Sequence, residues 1–265
     1  MSLNFDPRRI RSWVYRLPLF TRVFAAIAFV FLVTYYLVPW FGPWASLFPN
    51  EVALTSMHRL NTYPFLHLGV FHFLLNVSAL VPLLERFEAE FGTLITLALF
   101  TGPFSTLPGG IYVLLEKFVF RTNVGVAGSS IWGFLLMASE SIKHWRANPT
   151  FDIVGIKIPT WSYPCAVCLL CSILFPGWAS LTGHACGLLI GYLWGLGYIR
   201  FLTPPEKILR WVEGKLNLLG RLPHYVSVDQ KTFGRYGVLP STSSQRATNL
   251  GAGIHMRSGG QRLGP

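Results

Sequence analysis

Long apolar runs separated by short polar, glycine-bearing or proline-bearing stretches dominate the chain. Six of them, near 23–40, 64–83, 92–115, 124–142, 160–176 and 180–203, approach the length a helix needs to cross a bilayer. The pattern predicts an all-α membrane protein with six transmembrane helices. The third run is interrupted at Gly102-Pro103 and at Pro108-Gly109-Gly110, where a helix must kink or stop. Such breaks survive in lipid only where neighbouring helices or water satisfy the freed backbone groups. A basic tail, residues 1–22, precedes a membrane core at 23–203, and a tail at 204–265 follows it. Within that last tail, 206–219 places apolar and basic residues at helical spacing and is expected to lie along the membrane surface. Residues 220–265 are rich in Gly, Ser and Arg and are expected to be disordered until something binds them.

Composition sharpens this picture. With 52% hydrophobic residues, 12% charged residues and a mean hydropathy of +0.45, the chain is far from a soluble balance. Arg8, Arg9, Arg11 and Arg16 are not followed by a short apolar core and cleavage site, so the first run is expected to insert as an uncleaved anchor. Six crossings from a cytosolic amino terminus put nineteen of the twenty-two basic residues in the cytosol. They are Arg8, Arg9, Arg11, Arg16, Arg22, Arg86, Lys143, Arg146, Lys157 and the ten from Arg200 onward; only Arg59, Lys117 and Arg121 fall on the other side. The positive-inside rule therefore predicts both termini in the cytosol. Nucleic acid is the competing reading of a net charge of +11, but attraction to anionic cytosolic lipid accounts for the same residues without a new partner.

Polar residues inside the spans are the candidate chemistry, because such groups are costly in lipid and face the bundle or a wet cavity. The second span carries His67, His72 and Asn76. His72 and Asn76 are four apart and share a helical face; His67 falls about 140° away and is expected to hydrogen-bond the interfacial loop at 40–63. The fourth, which follows Thr122-Asn123, carries Gly128-Ser129-Ser130 near its start. The sixth carries His184 at the edge of a glycine stripe, Gly183, Gly187, Gly191 and Gly195, which lets another helix backbone approach. Spans two, four and six all start from the non-cytosolic side, so His72, Ser130 and His184 sit at a similar depth, roughly 6–12 Å in at 1.5 Å per residue.

That depth match suggests acyl-transfer chemistry. A serine hydroxyl becomes a useful nucleophile when a neutral imidazole can take its proton, and His184 is the candidate base. Asn76, His72 and the backbone N–H of Ser130 are candidate donors to an oxyanion. No carboxylate lies at this depth, so a Ser-His dyad is the simplest arrangement. The bland readings are a serine bonded to its own helix, an asparagine gluing two helices and a packing histidine. Cys165, Cys168 and Cys171 lie in an apolar span without a histidine or carboxylate nearby and read as packing residues. No metal or cofactor is called for.

These residues resemble the rhomboid intramembrane serine proteases. The stretch Tyr63-Pro64-Phe65-Leu66-His67, followed by His72 and Asn76, is similar to that family's second-span signature. Gly128-Ser129-Ser130 is similar to its nucleophile motif, with Phe134 where an aromatic packs on the catalytic histidine, and Gly183-His184 to its sixth-span motif. The resemblance implies a six-helix rhomboid-like bundle, Ser130 as nucleophile, His184 as base, and His72 and Asn76 as oxyanion contributors. It implies cleavage of single-span, membrane-anchored proteins within or near their transmembrane helix. One departure is Ile131, where the family has glycine, which leaves Ser129 as a rival nucleophile. Aligning instead on Gly125-Val126-Ala127-Gly128 puts alanine at the nucleophile's place. That implies an inactive adaptor that binds membrane clients and recruits a cytosolic AAA ATPase. The overall pattern is most similar to fungal Golgi rhomboids, which implies the Golgi membrane, with the endoplasmic reticulum as alternative. Gly260, Gln261, Arg262 and Leu263 resemble the motif by which adaptors bind the valosin-containing AAA ATPase, with Met256 where an aromatic is usual.

Overall fold

The computed structural model describes residues 12, 14–153, 155–174, 181–216 and 221–231. Eight helices of eight residues or more are seen among them: α1 (Leu19–Leu37), α2 (Val70–Phe91), α3 (Thr93–Phe100), α4 (Pro103–Leu114), α5 (Ser130–Ala147), α6 (Tyr163–Leu174), α7 (Leu181–Leu196) and α8 (Glu206–Lys215). A π-helical turn, Leu115–Phe120, prolongs α4. Leu19–Leu37, Val70–Phe91 and Thr93–Phe120 are long and apolar enough to cross a membrane. A fourth candidate combines α7 with Arg200–Lys215 across a bend of 91°. The chain is a mostly helical, multi-pass membrane protein.

Hydropathy misplaced several helix starts. Residues 64–69 and 124–129 belong to the apolar runs, yet they are not helical, because they satisfy backbone groups with each other and with the loop before α2. Leu47 and Val126 exchange both backbone hydrogen bonds at 3.0 Å, and the Gly128 N–H donates to the Tyr63 carbonyl at 2.9 Å. The helix of the expected second span, α2, therefore starts at Val70 and that of the expected fourth, α5, at Ser130. His67 lies before α2 rather than on it, so its expected angular offset from His72 does not apply.

The all-α expectation also fails locally. Helix α5 continues through Lys143, where a loop was expected, to Ala147; an antiparallel hairpin then joins β1 (Thr150–Ile153) to β2 (Ile156–Pro159). Its turn uses Gly155 at φ +82°, whose N–H donates to Asp152 Oδ1 at 2.7 Å, so the side-chain oxygen stabilises a conformation that glycine adopts cheaply.

The two proline-glycine interruptions behave differently. Gly102-Pro103 separates α3 from α4, whereas Pro108 sits inside α4 without ending it. Proline lacks the N–H that the Phe104 carbonyl would accept, and the Trp132 indole N–H donates to that carbonyl instead, at 3.1 Å. Trp132 belongs to an aromatic core that also contains Phe24, Phe87, Phe100, Phe104 and Trp194. In lipid, dispersion and ring geometry rather than expulsion of water hold such a core.

Glu88, fully buried near the end of α2, joins four chain segments. Its carboxylate accepts from the N–H groups of Phe20 and Thr21, from Thr21 Oγ1 and from Thr93 Oγ1, each at 2.8 Å. Phe20 and Thr21 lie in the first turn of α1, whose amides have no partners within the helix, so the carboxylate serves as its cap. Thr93 also accepts from the Val226 N–H at 2.9 Å and donates its own N–H to the Val226 carbonyl at 2.9 Å.

Val226 belongs to a region expected to be disordered from residue 220. Residues 221–231 instead form a strap over the α2–α3 junction, burying Tyr225, Val228 and Lys231. The composition is poor in large apolar residues, but a preformed site takes up the few there are. Within the expected 206–219 a helix is seen as α8, ending at Lys215. Arg8, Arg9, Arg11 and residues 232–265, with the ATPase-like motif at Gly260, Gln261, Arg262 and Leu263, lie outside the described residues.

Candidate active site

The first turns of three helices meet at one cavity: His72 is the third residue of α2, Ser130 the first of α5 and His184 the fourth of α7. The glycine stripe brings α7 onto α5. A Cβ at Gly187 would run into the Ile131 carbonyl oxygen, and one at Gly195 would lie 3.0 Å from the Ile142 Cβ. With the backbones this close, His184 Nε2 lies 3.0 Å from Ser130 Oγ. The Phe134 ring, one turn along α5 from Ser130, covers the imidazole at a centroid distance of 4.4 Å. His184 is buried, and its Nδ1 has no hydrogen-bond partner among the described residues. When Nε2 accepts the Ser130 hydroxyl proton, Nδ1 must carry the ring proton. Among the described residues the pair is thus a hydroxyl and an imidazole with no carboxylate bonded behind it.

Opposite the pair stand His72 and Asn76, both on the cavity-facing side of α2. The Leu68 N–H reaches His72 Nδ1 at 3.4 Å, which leaves the ring proton on Nε2, a donor. Asn76 uses one amide proton on the His72 carbonyl at 2.9 Å and has a second to give. Gly128, at φ +115°, lets the chain pass beneath this imidazole; a Cβ there would lie 2.8 Å from His72 Nε2. The Ser130 amide, in the first turn of α5, has no partner within its helix.

These groups line a cavity of about 190 Å³ between α2, α5, α6 and α7. His72, Asn76, Ser129, Ser130 and His184 supply its polar wall, while Leu75, Leu80, Phe134, Met137, Val167 and Cys171 supply apolar surface. Ile131 is not part of it. Its side chain is buried toward Gly187, so the departure from the expected glycine leaves the cavity open. Ala127 packs with Phe41, Ala45 and Leu66 and is also absent from the lining, which removes the basis for aligning it with the nucleophile. Cys168, buried beside Phe134, Ala138 and Leu188, has a packing position.

Sequence reasoning missed one relationship. His67, expected to bond only the loop, accepts or donates at both nitrogens: Nδ1 lies 3.0 Å from the Phe65 carbonyl oxygen and Nε2 lies 3.2 Å from Ser129 Oγ. Two hydroxyl–imidazole pairs therefore stand side by side. The adjacent serines were a signal, but the partner of each depended on where α2 begins.

Comparison with known proteins shows the family to which the chain is similar. Residues 54–201 match the model of the Rhomboid domain family. Over 264 residues the chain is 54% identical to rhomboid-type serine protease B of Aspergillus fumigatus (strain CBS 144.89 / FGSC A1163 / CEA10), covering 99% of this chain and 97% of that one. It is 49% identical over 279 residues to rhomboid-type serine protease 2 of Podospora anserina, covering 97% and 96%. The corresponding Neurospora crassa protein is 49% identical over 271 residues, covering 100% and 96%.

Proposed function

Given that the chain belongs to the rhomboid family of intramembrane serine proteases, we propose that it cleaves single-span membrane proteins through a dyad of Ser130 and His184. The observation that carries this reading is the 3.0 Å contact between Ser130 Oγ and His184 Nε2, both of which line a largely apolar cavity.

His184 takes the Ser130 proton as Oγ bonds to the scissile carbonyl carbon. The carbonyl π electrons move to its oxygen, where the donors of His72, Asn76 and the Ser130 amide stabilise the charge. The protonated imidazole then gives its proton to the departing amine as the C–N bond breaks. Water attacks the acyl-enzyme with His184 again as base, releasing the carboxylate product and restoring the hydroxyl. The apolar wall suits a peptide segment that leaves a membrane helix.

The same reading includes six crossings, made by α1, α2, the α3–α4 pair, α5, α6 and α7, with both termini in the cytosol and the protein in the Golgi membrane. Its α8 lies in the plane of the cytosolic surface; the 91° bend after α7 and the exposed Ile208, Trp211, Lys207 and Lys215 support that placement. Gly260, Gln261, Arg262 and Leu263 recruit the valosin-containing AAA ATPase, and loss of co-purification on replacing Arg262 and Leu263 with alanine tests this contact.

A fluorophosphonate probe tests the dyad on the full chain in lipid. The wild type labels, Ser129→Ala labels to completion at a lower rate and Ser130→Ala does not label; Ser130→Ala likewise fails to cleave a reporter with one transmembrane helix. Equal cleavage by Ser130→Ala sinks the reading.

A further inference from the structure

We infer that Ser129 and His67 form a positioning pair that holds the oxyanion side of the site in register with the nucleophile. This rests on the Ser130–His184 reading. The Phe65 carbonyl can only accept, so Nδ1 of His67, 3.0 Å away, carries the ring proton. Nε2 is then an acceptor, and the Ser129 hydroxyl donates to it at 3.2 Å. Both side chains are fully buried, and although Ser129 borders the cavity, its hydroxyl is directed to His67 and not to His184. The pair has the polarity of a catalytic dyad in a place where it does no acyl transfer.

Its position explains its use. Ser129 precedes the nucleophile at the head of α5, where its backbone carbonyl accepts from the N–H groups of Trp132 and Gly133 at 3.0 and 3.1 Å. The peptide linking it to Ser130 carries the amide that faces the oxyanion. On its other side, the His67 ring meets the His72 ring edge-on at a centroid distance of 5.3 Å and the Phe73 ring at 5.5 Å. One buried imidazole therefore touches the His72 ring and the start of α5, which between them supply two of the three oxyanion donors. Tying Ser129 to His67 fixes their separation to the tolerance that transition-state stabilisation demands. A hydroxyl that donates to a buried base also cannot donate to the Ser130 oxyanion, so the effect runs through geometry alone.

Ser129→Thr and Ser129→Val test this, since they share a shape and differ by a hydroxyl. The full chain in lipid vesicles is assayed on the reporter, with active sites titrated by exhaustive fluorophosphonate labelling so that misfolded protein drops out. Ser129→Thr is expected to keep kcat per titrated site within about threefold of wild type, and Ser129→Val to lose about tenfold in kcat and in labelling rate with KM unchanged. Combining His67→Ala with Ser129→Val is expected to cost no more than the worse single change. Equal kcat per site in the Thr and Val variants overturns the proposal. Labelling that persists in Ser130→Ala and vanishes in Ser129→Val would instead make Ser129 the nucleophile, which removes the Ser130 reading itself.

Discussion

Gly191 on α7 faces the backbone of Leu135 on α5 so closely that a Cβ would run into the Leu135 carbonyl oxygen and come within 2.8 Å of the Ala138 Cβ. Backbone cannot step aside as a flexible side chain can. Gly191→Ala is therefore expected to destabilise the protein by about 2–3 kcal/mol and to lower activity by separating α7 from α5. Gly110→Ala, with nothing within 4 Å of its Cβ, is expected to be neutral or stabilising by up to about 1 kcal/mol. Thermal unfolding of the two variants in the same detergent is the check; similar shifts would show that the stripe is not a tight contact.

Ile131 answers the question raised by the missing glycine. Because its side chain packs toward α7 and not into the cavity, Ile131→Gly is expected to lose about 3–5 kcal/mol from the deleted packing and the helical glycine. Turnover per titrated site is expected not to rise. A faster enzyme would mean that Ile131 does restrict the site.

Glu88 accepts four hydrogen bonds, and an amide in its place would turn a donor toward at least one of those donors. Glu88→Gln is expected to cost about 2–4 kcal/mol, and Thr93→Val, which removes one of the bonds to Glu88 and the acceptor for Val226, about 1–2 kcal/mol. Hydrogen exchange should show faster opening at residues 221–231 in both variants. Faster exchange confined to α2 would break the link drawn between this carboxylate and the strap.

The strap also carries a pH dependence. The hydrogen bond from Lys231, then its charge, holds the Glu206 carboxylate below its ordinary value of 4.5. A carboxylate with a depressed folded-state pKa adds stability that is present above 4.5 and lost as pH falls through the folded value. Glu206 is exposed, so solvent screening keeps the effect small. Exchange at 221–231, corrected for intrinsic rate, is expected to accelerate below about pH 4.5 in the wild type. Glu206→Gln should show no such step, and a step of the same size in that variant would assign it to another group.

Periodicity and composition alone determined that the chain is helical and membrane-embedded. They also showed that His72 and Asn76 share a face and that one side of the last apolar run is smooth enough for close packing. Each follows from residues a few positions apart, where helix geometry leaves little choice. Tertiary structure decided where the helices start, because residues 64–69 and 124–129 of the apolar runs have two ways to satisfy their backbone and the bonds between the loops at Leu47, Tyr63, Val126 and Gly128 settle it. It likewise decided which histidine serves which serine, how Pro108 stays within a helix by borrowing the Trp132 indole, and that 221–231 has somewhere to dock. These depend on partners that only folding brings within 3 Å or so, and no pattern along the chain encodes that distance.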